Sequence, residues 1–450
     1  MACLSKNLSE FCTVISELFK TSTGDAYEHA QRYLEGLVTE TPRKNLERMD
    51  ERLEASDYEG LQHFLSSSPW QERRVYDFIA ERADERLGGR PESLLVIDES
   101  GFTKKGCASA GVSRQHNGRL GKQDNCQVGV FSALNCGCHS ALIGAHLFLP
   151  EEWTEDSERC ERAGVPESRI RSLTKIDLAR ELVEQALEQG VRFGCVSVDA
   201  FYGRDSRFLE WMNREGLIYC ADVPANALVF TKRPKGDKRP KKMREAAQRV
   251  DRQAKQISRK KGKIINIREG ENGLVGSEVW VRRVWVWPAE AQQPRQCWLL
   301  VSRLEDGTFK TSLCNAPQGT SIQMLSSWQA GRYFIERTFQ DGKSQAGMAQ
   351  YQARGWRAWH HHMAMVSLAL LFMMEQRLLL AQSAPLLSAR DIVELLEWHL
   401  VGPRSQEEVV NAIERRHRKR ERNALSAQNR RREAAGLPEV RKMRLNKLSK

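Results

Sequence analysis

Residues 94–131 read LLVIDESGFTKKGCASAGVSRQHNGRLGKQDNCQVGVF, and the rest of the chain falls into order around them. The apolar run Leu94 to Ile97 predicts a buried strand that ends in Asp98. A Gly-rich segment bearing Lys and Arg follows, and CQVGVFSAL at 126–134 predicts a second strand. ALIGAHLFL at 141–149 predicts a third, and the short turns between them make an antiparallel meander. An acidic, turn-rich loop over 150–171 leads to a helix over 175–189 with Ile176, Leu178, Leu182, Val183 and Leu187 on its apolar face; Gly190 stops it. The buried strand 194–198 ends in Asp199, a helix over 205–215 comes next, and 218–223 is a further strand.

A meander of three strands followed by helix, strand, helix, strand is the order of an α/β fold with a ribonuclease-H-like mixed sheet, although strand pattern alone leaves other mixed sheets open. Upstream, residues 1–90 show helical spacing with Leu34, Leu37, Leu46, Met49, Leu53, Leu61, Phe64, Val75 and Phe78 inward, broken at Pro42 and over 66–69. We therefore expect a helical N-terminal domain over 1–90 and a first part of the core over 91–225. A basic linker and β-rich insertion should occupy 226–320, and a second part of the core 321–382. The last region, 383–450, reads as helical with a basic tail. The insertion carries Trp-rich strands at 279–287 and 297–301. Such an inserted β-rich module with flanking helical segments suits a chain of 450 residues, enough for two or three domains.

Net charge is +12, but it is concentrated. Residues 232–263 hold 15 Lys/Arg against 3 Asp/Glu, and residues 414–450 hold 14 against 4, so the remainder is acidic. Two basic segments on an acidic chain are the footprint of a polyanion partner such as DNA, or else two solvated surface runs. Eleven scattered cysteines without a leader segment read as a reducing, cytoplasmic setting. Cys136-Gly137-Cys138-His139, with His146 beyond, lacks the usual zinc spacing and sits at a turn between strands. The longest apolar run, Met363 to Met374, has 12 residues; a membrane crossing takes about 20, so it reads as a buried core helix and no membrane is expected. His360, His361 and His362 project about 100° apart on a helix and cannot share one ion; they read as helix surface near DNA.

Asp98 and Asp199 end apolar strands and would share one edge of the sheet if those strands are neighbours; singly, each could be a turn former or helix cap. In the helix beginning near Ser326, Arg332, Glu336, Phe339 and Lys343 fall on one face, either as an ion-pair ladder or as the third acid flanked by two bases. Three acids can hold two divalent ions about 3.5–4 Å apart, and Mg2+ or Mn2+ suits carboxylate oxygens. Arg332 and Lys343 would neutralise the phosphates of a bound strand. Glu99 and Asp341 are weaker candidates because each points away from its neighbouring acid.

These residues sit inside longer motifs: DESGFxKKG at 98–106, GVxRQ at 111–115, GKxxNCQVGVF at 121–131, LPxxWT at 149–154, RxGVP at 162–166, VDAFYG at 198–203, IERTFxxxK at 335–343 and YxxRxW at 351–356. Together, across roughly residues 30–380, the chain resembles the DDE insertion-sequence transposases. The branch it is most similar to is insertion-sequence family seven-hundred-one, related to the insertion-sequence-four group. The resemblance implies Asp98, Asp199 and Glu336 as catalytic acids binding two Mg2+ or Mn2+ ions. It also implies cleavage of element ends followed by attack of the freed 3′-hydroxyl on target DNA, by a homodimer or larger assembly. It further implies DNA contacts by the motif bases Lys104, Lys105, Arg114 and Arg354, beside Arg332 and Lys343. The 137 positions from Asp199 to Glu336 agree with the family's β insertion. Related enzymes stack a flipped base on an aromatic ring there, with Trp285, Trp287 and Trp298 as candidates here against the alternative that they fill the module's core. The family's tyrosine seven residues before the glutamate is absent: position 329 is Gln, and Tyr333 is the nearest substitute.

Overall fold

The run Leu94 to Ile97 forms the middle of the main sheet in the computed structural model. Residues 3–400 are described except 23, 40–42, 53–56, 119–120, 236–245, 271–272 and 305, together with scattered positions between 418 and 433. Beyond residue 400, most of the last expected region with its basic tail lies outside the described residues, as do ten residues of the first basic run.

Strands β1 (Leu94–Thr103), β2 (Ser113–Asn117), β3 (Lys122–Cys136) and β4 (His139–Leu147) come first, then β5 (Cys195–Val198) and β6 (Tyr219–Asp222). β1 pairs antiparallel with β3 and parallel with β5, and β5 pairs parallel with β6. β3 also pairs with β4, so the core order is β4-β3-β1-β5-β6. This is the mixed sheet that the strand order foretold. Every residue of β5 is buried, as expected of a parallel strand covered on both faces. The unforeseen strand is β2, an edge strand on β3 in the segment read as Gly-rich loop; its Ser-Arg-Gln-His-Asn sequence has none of the apolar alternation that marks a strand. Helix α6 (Lys175–Glu188) starts at a capping box formed by Thr174 and Asp177, Gly190 follows with φ of 71°, and helix α7 (Ser206–Arg214) lies between β5 and β6.

The β-rich insertion does not stand apart from this sheet. β7 (Lys263–Gly270), β8 (Gly273–Val286), β9 (Arg295–Arg303) and β10 (Phe309–Cys314) form an antiparallel run. β10 then pairs with β6, Leu313 opposite Ala221, to give one ten-stranded sheet. The insertion still has a core of its own, where Val250 and Ala254 of helix α8 (Val250–Ile257) meet Val284, Leu299 and Val301.

Among the helices at the start of the chain are α1 (Cys3–Ile15), α2 (Tyr27–Val38), α3 (Leu46–Arg52), α4 (Tyr58–Ser66) and α5 (Glu72–Leu87). They share one hydrophobic core with the sheet, through helix α11 (Trp356–Leu379). Of the expected inward positions, Leu34, Leu37, Met49, Leu61, Phe64 and Val75 are buried, Leu46 and Phe78 are partly buried, and Leu53 falls outside the described residues. α11 is apolar on all sides and long enough to cross a membrane, and it is buried within the protein. The reading of the His triplet as helix surface is overturned for the same reason, because all three rings are buried. His362 Nδ1 lies 2.7 Å from the Tyr33 hydroxyl, His361 faces the carbonyls of Leu65 and Trp70 at 3.0 Å each, and His360 lies 3.0 Å from the carbonyl of Trp356. Burial drives the pKa of His361 down to about 4 and that of His362 to about 3. Cys136, Gly137, Cys138 and His139 form the tight turn joining β3 to β4, with Gly137 at φ 60°.

Candidate active site

The parallel register of β1 and β5 pairs Ile97 with Val198, so Asp98 and Asp199 are the next residues of adjacent strands. Asp199 is also the N-cap of the short helix Ala200–Gly203, and both capping bonds, from the amides of Phe201 (2.8 Å) and Tyr202 (3.2 Å), fall on Oδ1. The two readings of a strand-ending aspartate, cap and cavity acid, hold together in one side chain.

The third element is broken where the sequence predicted one helix. α9 (Ile322–Gly331) and α10 (Tyr333–Gln345) meet at Arg332. Arg332, Glu336, Phe339 and Lys343 still share a face, and that face closes a cavity of about 1020 Å3 also lined by Asp98, Glu99, His116, Asp199 and Phe201. Phe339 is buried against Phe131, ring centroids 5.2 Å apart, and fixes the helix on the sheet. Three acids far apart in the chain therefore border one space.

Arg332 organises its charges. Its Nη1 is 2.9 Å from Asp98 Oδ2, its Nη2 3.0 Å from Glu336 Oε1, and its Nε 3.3 Å from Asp222 Oδ2. Asp98 is only 8 % exposed. Burial pushes its pKa up to about 7, Arg332 pulls it back, and Asp199 and Glu336 push it further up. For Arg332 burial works against the charge, but Asp98, Asp222 and Glu336 outweigh it and hold the guanidinium protonated. The two shifts oppose each other across one contact; Asp98 moves upward because Asp222 and Glu336 share the same guanidinium and Asp199 adds a further negative charge. Glu336, by contrast, is half exposed at the mouth of the cavity.

No group of three or more His, Cys, Asp or Glu among the described residues stands close enough together to hold one metal ion. The donor chemistry nevertheless fits a hard divalent cation: carboxylate oxygens converge on one cavity, and the buried Asp98 is raised by two other acids, a condition that a nearby cation relieves. In the structure the guanidinium of Arg332 supplies that positive charge.

The remaining expected site residues divide. Lys343 lines the cavity and donates from Nζ to the carbonyl of Gly101 at 3.3 Å. Lys105, Arg114 and Arg354 are exposed, and Arg114 shares β2 with His116 of the cavity rim. Lys104 does not project to a surface partner as expected. Its Nζ lies 3.3 Å over the Tyr351 ring and 3.3 Å from the Tyr351 carbonyl, and burial lowers its pKa to about 7. Trp287 is not a stacking platform: it is 3 % exposed, donates its indole N–H to the carbonyl of Ala291 (3.1 Å), and packs with Phe230. Trp298 is partly exposed, with the Arg283 guanidinium 4.7 Å over its ring, and Trp285 is likewise half-buried under Arg233 at 5.7 Å. Tyr333 is absent from the cavity lining, whereas Gln329 is buried and donates to the Ser312 hydroxyl at 2.7 Å. Glu99 does line the cavity, but Lys175 neutralises it at 2.8 Å. Asp222 was overlooked, although the same rule that singled out Asp98 and Asp199, an acid ending an apolar strand, applies to Tyr219–Asp222.

A second groove, of about 500 Å3, runs between α8 and the strands β7 and β8. Lys260, Lys261, Lys263, Arg282 and Trp280 line it, with no acid among the described lining residues; Glu278 lies close by, paired with Arg303 at 3.4 Å.

The profile of the family described as DDE superfamily endonuclease matches residues 17–274, more than half of the chain, and the protein belongs to that family. The match takes in Asp98 and Asp199; Glu336 lies beyond it and is joined to them by geometry. A probable transposase for insertion sequence element IS701, from Microchaete diplosiphon, is 29% identical over 227 residues, which is 50% of this chain and 55% of the relative. The chain thus spans about half the length of the curated relative that it matches.

Proposed function

We propose that the protein is a DNA transposase: it cleaves the ends of an insertion sequence and joins the freed 3′-hydroxyl to target DNA, with Asp98, Asp199 and Glu336 as its catalytic acids. The observation that carries this reading is the cavity shared by two strand-end aspartates and one helical glutamate beside Arg332 and Lys343. Family membership and the likeness to a protein named as a transposase support it.

The three acids would hold two divalent ions, Mg2+ or Mn2+, which when bound stabilise the attacking and leaving oxygens of an in-line displacement at phosphorus. The chain's own part is positional. Arg332 and Lys343 face the same space as the acids and hold the scissile phosphate against them, the guanidinium by its two-pronged edge. The Phe339 contact to Phe131 keeps the helix, and so Glu336, against β3, where Phe131 stands opposite Asp98 of β1. Exposed Lys105, Arg114 and Arg354 would follow the backbone away from the cavity, and the acid-free groove beside α8 would take a second stretch of phosphates. Trp285 and Trp298 remain as stacking surfaces for a base. Each protomer supplies one such cavity, so two paired ends call for a homodimer or larger assembly on DNA, acting at the nucleoid in the cytoplasm.

The test uses a supercoiled plasmid carrying the element ends, with Mg2+ or Mn2+, and separately a pre-cleaved end bearing a free 3′-hydroxyl. Nicking at the ends and joining of the pre-cleaved end are expected. Nicking without joining would reduce the activity to that of a nuclease, and neither product would refute the proposal.

A further inference from the structure

Arg332 makes ion pairs with three carboxylates, and two of them, Asp98 and Glu336, are acids to which we assign the divalent ions. The third, Asp222, belongs to a separate polar network. Its Oδ1 accepts a hydrogen bond from the Ser312 hydroxyl (2.5 Å), and its Oδ2 lies 3.2 Å from Lys310 Nζ as well as 3.3 Å from Arg332 Nε. Ser312 accepts from the Gln329 side chain at 2.7 Å, and Gln329 accepts from Ser302. Lys310 donates to the Gln329 carbonyl at 3.2 Å. Ser302, Lys310 and Ser312 lie on β9 and β10, Asp222 ends β6, and Gln329 lies on α9 one turn before Arg332. The insertion strands are thus tied by hydrogen bonds to Asp222, and through its ion pair to the Arg332 guanidinium in the catalytic cavity. This network also accounts for Gln at 329, which is buried against Ser302 and Ser312.

We infer that Arg332 and the divalent ions compete for Asp98 and Glu336, and that Asp222 is the positioning residue that keeps Arg332 in the cavity when the ions displace it. The inference rests on the transposase reading. In the DNA-free chain the guanidinium neutralises the two acids. When ions take those acids, the contact through Nε to Asp222 remains, and the two Nη groups are freed together toward the scissile phosphate. A guanidinium left on Asp98 and Glu336 would repel the incoming cation at close range, and the low polarity around a side chain only 17 % exposed makes that repulsion strong.

The experiment is Mn2+ binding to the full-length, DNA-free protein, followed by the electron paramagnetic resonance of free Mn2+ and by calorimetry, with plasmid nicking measured in parallel. Arg332→Gln should tighten Mn2+ binding by on the order of tenfold while abolishing nicking, and Arg332→Lys, which keeps the charge, should stay near wild type in affinity. Asp222→Asn should weaken Mn2+ binding severalfold in the wild-type background and far less in the Arg332→Gln background, since its effect passes through the arginine. Unchanged or weaker Mn2+ binding by folded Arg332→Gln overturns the competition, and equal effects of Asp222→Asn in both backgrounds overturn the anchoring. If the wild-type protein neither binds Mn2+ nor nicks DNA, the transposase reading itself fails; if it does both while the variants depart from these expectations, only this inference does.

Discussion

Replacing Asp98 by Asn should abolish cleavage and, without added metal, make the fold more stable. The carboxyl is buried beside two further acids, and its pKa stands at about 7 against an unfolded value near 3.8. The folded protein therefore binds a proton that the unfolded chain has already released between those two values, and stability falls as pH rises through that window. Each unit is worth about 1.4 kcal/mol, so the raised carboxyl costs about 4 kcal/mol at pH 8, where it is ionised in both states, and about 2 kcal/mol at pH 5, where only the unfolded chain has released its proton. Asparagine imitates the protonated acid and does not ionise. Urea unfolding of both proteins in EDTA at pH 5 and pH 8 measures the difference: the variant's advantage should widen by roughly 2–3 kcal/mol over that interval. A variant less stable than wild type at pH 8 would refute the reasoning, because it would mean that the Arg332 ion pair outweighs burial and the neighbouring acids. Stabilisation by removal of a buried acid is what a site built for a cation predicts.

Three other outcomes test separate parts of the molecule. Asp199→Asn should lose nicking at nearly unchanged stability, since asparagine caps a helix as well as aspartate, whereas Asp199→Ala should lose nicking and about 1 kcal/mol of stability by urea titration. The buried His361 and His362 have pKa values depressed to about 4 and about 3. The unfolded chain therefore takes up protons first as pH falls below about 6.5, and stability should drop by several kcal/mol between pH 6.5 and pH 4; replacing His362 by Gln should flatten that drop in acid-unfolding curves. Changing Lys260, Lys261 and Lys263 together to Ala should reduce the slope of log affinity against log salt for duplex DNA by about 2.7 in filter-binding titrations, and an unaltered slope would remove the groove from the DNA path.

Much of the fold was legible because each core strand is an apolar run bounded by turn residues, and because the run at 94–97 and the one at 194–198 both stop at an aspartate. The strand order then left few ways to arrange the core sheet, and the helical spacing of Arg332, Glu336, Phe339 and Lys343 gave the third wall of the cavity. The edge strand β2 was not legible: residues 113–117 are polar, and they pair because β3 presents them with free backbone groups. Nor was the burial of the His triplet, since imidazole is polar in a sequence and becomes a core group only when carbonyls and the Tyr33 hydroxyl surround it.

The sequence by itself therefore determined the order of the strands, the acids at their ends and the face of the helix that carries Glu336, because these follow from local periodicity and chain order. Tertiary structure alone decided that β10 would extend the core sheet, that Trp287 and Lys104 would turn inward, and that a single guanidinium would stand among Asp98, Glu336 and Asp222. Those outcomes depend on which groups meet across long stretches of intervening chain, Lys104 with Tyr351 over 247 positions and Arg332 with Asp98 over 234, and neither spacing nor composition records such a choice.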